Sequence, residues 1–146
     1  ATGKLVETAA APADPDRRAA EYVLSQFGFI KVKIGVEERQ INKLAELPRE
    51  PFVLTHATLD SRGLISEKGL ANFAGCRSLT YLSLRSSPAT DAGLAYFRDC
   101  KDLTYLNLAN TKLTDAGAFY FKDCENLVDL DLNTTDIGDE GLASFK

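Results

Sequence analysis

The sequence predicts an α/β solenoid: a right-handed stack of repeats with a parallel sheet on one side, short helices on the other, and an N-terminal helical cap. Three observations lead there. The stretches that begin at Cys76, Cys100 and Cys124 align along their whole length at a period of 24 residues. Each contains an L-x-L core, as in Leu106 and Leu108, which reads as a short strand with its leucines turned inward. Each core leads through a turn to a helix start such as Thr90-Asp91-Ala92-Gly93. A unit this small cannot bury its own apolar side, so the units must stack.

Residues 1–14 are rich in Ala, Pro and Thr without a periodic apolar face, and read as a linker or disordered tail. Residues 15–51 read as a cap helix and a degenerate first unit. Pro15 sits early in the helix, where a missing N–H is tolerated, and Gly28 can end it. Ile30, Val32 and Ile34 alternate as a strand, and "LAEL" at 44–47 aligns with the later "LANF", "LAYF" and "LASF". Residues 52–146 read as about four units of 24–25 residues, the last one truncated.

Within the units, Leu79, Leu82 and Leu84, then Leu103, Leu106 and Leu108, then Leu127, Leu130 and Leu132 form the strand-side core. Leu94, Phe97, Phe121, Leu142 and Phe145 fill the helix side. Ala118 stands where a leucine is expected, leaving Phe119 or Phe121 to fill the gap. Gly69, Gly93, Gly117 and Gly141 recur where neighbouring helices must approach closely. Thr90 or Asp91 suits a helix N-terminus, where free N–H groups want an acceptor.

The stretch "DLDLNTTDIGDE" at 129–140 imitates a calcium-binding loop, with Asp129, Asp131, Asn133 and Glu140 at the right offsets. The repeat explains it otherwise. Leu130 and Leu132 are core residues, so the aspartates alternate with them on an extended strand, and Thr134 stands where such a loop wants glycine. No metal site or cofactor is expected. The three cysteines form a column rather than a tetrahedron, and read as buried thiols; reduced thiols favour a reducing, cytoplasmic compartment.

Charge narrows the partner class. The net charge is −4, and residues 101–146 carry 9 Asp/Glu against 4 Lys/Arg. No basic stripe suggests nucleic acid, and no apolar run approaches the length of a membrane span. His56 is the single histidine, with Thr58 and Asp60 near it, but no nucleophile, oxyanion donors or phosphate-binding motif accompanies it. The outward strand positions are the better candidates: His56, Tyr81, Tyr105 and Asp129 in one column, Thr58, Ser83, Asn107 and Asp131 in the next. Tyr81, Ser83, Arg85, Tyr105, Asn107, Asp129, Asp131 and Asn133 are the expected partner-binding residues, since tyrosine and arginine dominate binding hot spots.

The phrases "LTYLSLRSSPATDAGL" and "LTYLNLANTKLTDAGA" resemble leucine-rich-repeat arrays of the planctomycete type. The C-x-x-L before each strand is similar to cysteine-containing leucine-rich repeats. Thr111, Thr135 and Ser87 depart from the usual Asn or Cys, so an inner ladder would be built of hydroxyls. The resemblance implies a non-catalytic scaffold that binds a protein partner. It also implies an alternative, a regulatory or substrate-recruiting segment of an enzyme such as a protein kinase with its catalytic domain outside this chain. The absence of methionine and the end within a repeat suggest a fragment of a larger protein. Leu130, Leu132, Leu142 and Phe145 would border an uncapped C-terminal end that favours end-to-end self-association.

Overall fold

A computed structural model describes residues 14–60 and 65–146. The linker assigned to residues 1–14 therefore lies outside the described residues, Asp14 apart. Helix α1 spans Pro15–Ser25 and is capped by the Asp14 carboxylate, which accepts from the Asp16 N–H at 3.0 Å. Its Ala19, Ala20, Val23 and Leu24 are buried. The chain leaves through Gly28, where a Cβ would stand 2.2 Å from the Thr58 carbonyl oxygen, so only glycine fits there.

Six strands form one sheet in the order β2-β1-β3-β4-β5-β6. They are β1 Phe29–Ile34, β2 Glu37–Ile41, β3 Val53–Thr58, β4 Tyr81–Ser83, β5 Tyr105–Asn107 and β6 Asp129–Asp131. From β3 onward the strands are parallel, and the period of 24 holds the register: Tyr81 lies beside Tyr105, and Tyr105 beside Asp129. The turn after each of these last three strands passes through a left-handed residue at the same repeat position, Ser86, Asn110 and Thr134.

The N-terminal segment departs from the expected degenerate unit. Strands β1 and β2 are an antiparallel hairpin, and β1 also pairs antiparallel with β3. Gly35, at φ +61, opens the two-residue loop between them, a position that favours glycine. "LAEL" contributes only an exposed 3-10 turn at Leu44–Glu46. Strand β2 is an edge strand with Ile41 as its one buried residue, so it lacks the alternation that would have announced it.

Short helices α2 Glu67–Leu70, α3 Asp91–Leu94, α4 Asp115–Ala118 and α5 Asp139–Ala143 line the opposite side. Leu82, Leu106, Leu94 and Leu103 are fully buried between the layers. Phe73, Phe97 and Phe121 fill the helix side; Phe121 closes the gap beside Ala118, while Phe119 points out and is 56% exposed. The recurring glycines make room for the preceding unit: at Gly117 a Cβ would meet Asp91 Oδ1 at 2.2 Å.

Two sets of polar links join unit to unit. The Cys124 thiol donates to the Cys100 carbonyl and the Cys100 thiol to the Cys76 carbonyl, each at 3.2 Å; the Cys76 thiol donates to the Pro15 carbonyl at 3.4 Å. All three thiols are free and buried. Burial raises their pKa, to about 12 for Cys100 and about 11 for Cys124. The ladder is thus made of thiols. The hydroxyls expected to make it close their own turns instead: Thr111 donates to the Leu108 carbonyl and Thr135 to that of Leu132, each at 2.7 Å. On the helix side, the Asp91 carboxylate accepts from the Thr114 N–H at 2.9 Å, and Asp115 accepts from the Gly138 N–H at 2.7 Å. The aspartates of the helix starts therefore serve the next unit rather than their own helix.

In the last unit Leu130 is 37% and Leu142 47% exposed, because β6 and α5 each have a neighbouring unit on one side only; Leu132 and Phe145 are half-buried. Among the described residues no helix is long and apolar enough to cross a membrane.

Candidate interaction surface on the strand face

Pairing in register, antiparallel from β2 through β1 to β3 and parallel from there on, aligns one outward position of every strand. Gln40, Lys31, His56, Tyr81, Tyr105 and Asp129 make a row across the whole sheet, with a base near one end and an acid at the other. At its centre three rings stack. The His56 and Tyr81 centroids are 5.2 Å apart at 16°, and those of Tyr81 and Tyr105 are 4.1 Å apart at 2°. The strand spacing itself, about 4.8 Å, dictates this contact. Burial, then the neighbouring Tyr105 hydroxyl, raises the Tyr81 phenol to about 12. Beside the ladder Phe29, Lys31, Gln40, His56 and Tyr81 line an open hollow of about 280 Å³.

The second row has another fate. Ser83 and Asn107 are 2% and 7% exposed, so neither is accessible to a partner, contrary to the expectation from alternation alone. Ser83 donates to the Asp60 carboxylate. Asn107 accepts from the Ala109 N–H, and Asp131, at the same repeat position, accepts from the Asn133 N–H, each at 3.0 Å. These side chains fold the turn after each strand. Asp131 stays half-buried, while Arg85, Asp129 and Asn133 are exposed. The row that can be touched is the tyrosine row, with Arg85 and Asn133 at its margin.

The hairpin brings a residue to the site that the sequence did not announce. Glu38 of β2 accepts from the Thr55 hydroxyl at 2.9 Å, and Thr55 lies 3.0 Å from His56 Nδ1. With Thr55 donating to Glu38, the imidazole donates to Thr55 through an Nδ1–H. Burial holds the His56 pKa below its ordinary value; Glu38 opposes this and Lys31 adds to it. The carboxylate nearest His56 is thus Glu38, at 3.6 Å, while Asp60 is taken up by Ser83. A hydroxyl placed between carboxylate and ring cannot be activated as in a nucleophilic triad, where the imidazole stands in the middle.

The 129–140 window is a strand, a turn and the start of α5. Thr134 does take the left-handed conformation, at φ 57, so the missing glycine is no obstacle there. One Asp131 oxygen is instead engaged by the backbone turn.

A family model described as Leucine rich repeat matches residues 77–137. No curated protein matches the chain. Among solved structures, an internalin (inlF) from Listeria monocytogenes is similar over 89% of this chain, with a TM-score of 0.53 and 21% identity. The chain spans 34% of the length of that internalin. Residues 77–137 are thus similar to leucine-rich repeats, and the fold is an α/β solenoid of the kind that internalin has.

Proposed function

We propose that this leucine-rich-repeat solenoid is a non-catalytic module that binds a protein through its strand face, with Tyr81, Tyr105 and Asp129 at the centre and Arg85 and Asn133 beside them. Ser83, Asn107 and Asp131, on the same side of the sheet, flank that surface and hold the chain that follows or precedes their strands. The observation that carries this reading is the ring ladder, which leaves half-buried tyrosines side by side on a fixed sheet. Rigid tyrosines supply contact area at little entropic cost, and they are enriched in hot spots. In a longer polypeptide the same face would recruit a substrate to a catalytic domain such as a protein kinase. The exposed Leu130 and Leu142 support a second contact, end to end between copies, which sedimentation at rising concentration would reveal as growing mass.

The test is capture from a lysate of the source organism by the wild-type chain and by Tyr81→Ala/Tyr105→Ala. A protein retained by the first and lost with the second, both showing the same cooperative unfolding, supports the strand face. Equal retention by both, or retention by neither, removes it.

A further inference from the structure

We infer that the partner places an arginine side chain against the open face of Tyr105, over the carboxylate of Asp129, an inference that rests on the strand face being the binding surface. Three observations converge on that place. The ring stack runs His56, Tyr81, Tyr105 and then stops, because the next strand carries Asp129 at the same position. One face of the Tyr105 ring is covered by Tyr81 at 4.1 Å, and the other looks toward β6. Asp129 is exposed, and the ion pairs among the described residues lie elsewhere, on Glu37, Glu38 and Asp123.

The chemistry of that place selects its occupant. A group stacked on Tyr105 at one more strand spacing lies directly above a carboxylate. The negative ring face and the carboxylate both favour a cation. A neutral aromatic ring would satisfy the first and lie unpaired against the second, and an anion would be repelled by both. Guanidinium is the side chain that is planar enough to continue the stack and carries a donor fork that fits a carboxylate. An ammonium offers a point charge without the plane. The excess of acid over base in residues 101–146 adds a field of the same sign.

The experiment is an NMR titration of the whole chain with the blocked pentapeptide Gly-Arg-Gly-Arg-Gly and with its counterpart carrying citrulline, which keeps the plane and loses the charge. The expected result is a saturable shift of the Tyr105 ring protons with the arginine peptide. Citrulline is expected to weaken it at least tenfold, as is Asp129→Asn, a change at an exposed side chain; the urea unfolding midpoint of this variant should match that of the wild type. Equal binding of both peptides, shifts that map away from Tyr105, or no binding overturns the inference. So does a face-dependent protein from the capture experiment that Asp129→Asn still retains in full; that outcome leaves the strand face standing. Failure to capture any face-dependent protein removes the parent reading whatever the peptides do.

Discussion

Tyr105 and Asn107 are two residues apart on one three-residue strand, and alternation turns both to the same side of the sheet. One remains half-exposed in a stack of rings; the other is buried and holds the N–H of Ala109. The difference lies in the turn at the end of the strand. The chain turns back there through left-handed Asn110, and the side chain nearest that turn is drawn into it, while the one a residue pair earlier stays half-exposed and accepts from the Asn107 amide at 3.3 Å. Facing outward is thus a property of the strand, and being accessible is a property of the turn.

Substitutions along this strand sharpen the contrast. Leu106, between the two and fully buried, sets the scale: Leu106→Ala should cost about 3 kcal/mol in urea unfolding. Asn107→Ala should cost about 2 kcal/mol, because it strands a buried N–H. Tyr105→Leu keeps apolar bulk and loses the stack, and should cost about 1 kcal/mol. If Tyr105→Leu proved costlier to the fold than Asn107→Ala, the distinction between the rows would collapse. On partner binding the order should invert, with Tyr105→Leu abolishing capture and Asn107→Ala, which loses one hydrogen bond to the Tyr105 hydroxyl, weakening it less in the fraction that stays folded.

The smallest effect concerns pH. Because the His56 pKa is depressed in the folded state, the unfolded chain takes up its proton first as pH falls. The contribution of this residue is complete above the ordinary value of 6.5 and is lost as pH drops through the folded value. The unfolding midpoint should therefore fall on acidification from about pH 7.5 to about pH 5, and His56→Gln should remove part of that slope. An identical slope in the variant would mean that the ring is as free as in the unfolded chain.

The repeats were legible because their information is local and written several times over. Strand, turn and helix start recur every 24 residues, so the register that stacks Tyr81 on Tyr105 comes from counting. The hairpin was not legible, since β2 is polar on both faces and only Gly35 marked its loop. With the hairpin went Glu38, and hence the true partner of the His56 environment. The burial of Ser83 and Asn107 was hidden for a different reason. It depends on how the next turn folds back, which binary patterning does not encode. The roles of Asp91 and Asp115 were half visible: an acceptor at a helix start was expected, but its donor lies in the next unit.

The seam of thiols ends on the Pro15 carbonyl, which receives from Cys76 what Cys76 and Cys100 receive from the units C-terminal to them. The cap therefore presents the same acceptor to its neighbour as a repeat does. Loss of residues 76–99 by unequal recombination would bring Cys100 to that carbonyl, and duplication would insert one more link of the same kind. Along this seam, length can change in steps of one unit, with the strand face lengthened or shortened by one outward residue each time and the line of thiol bonds unbroken.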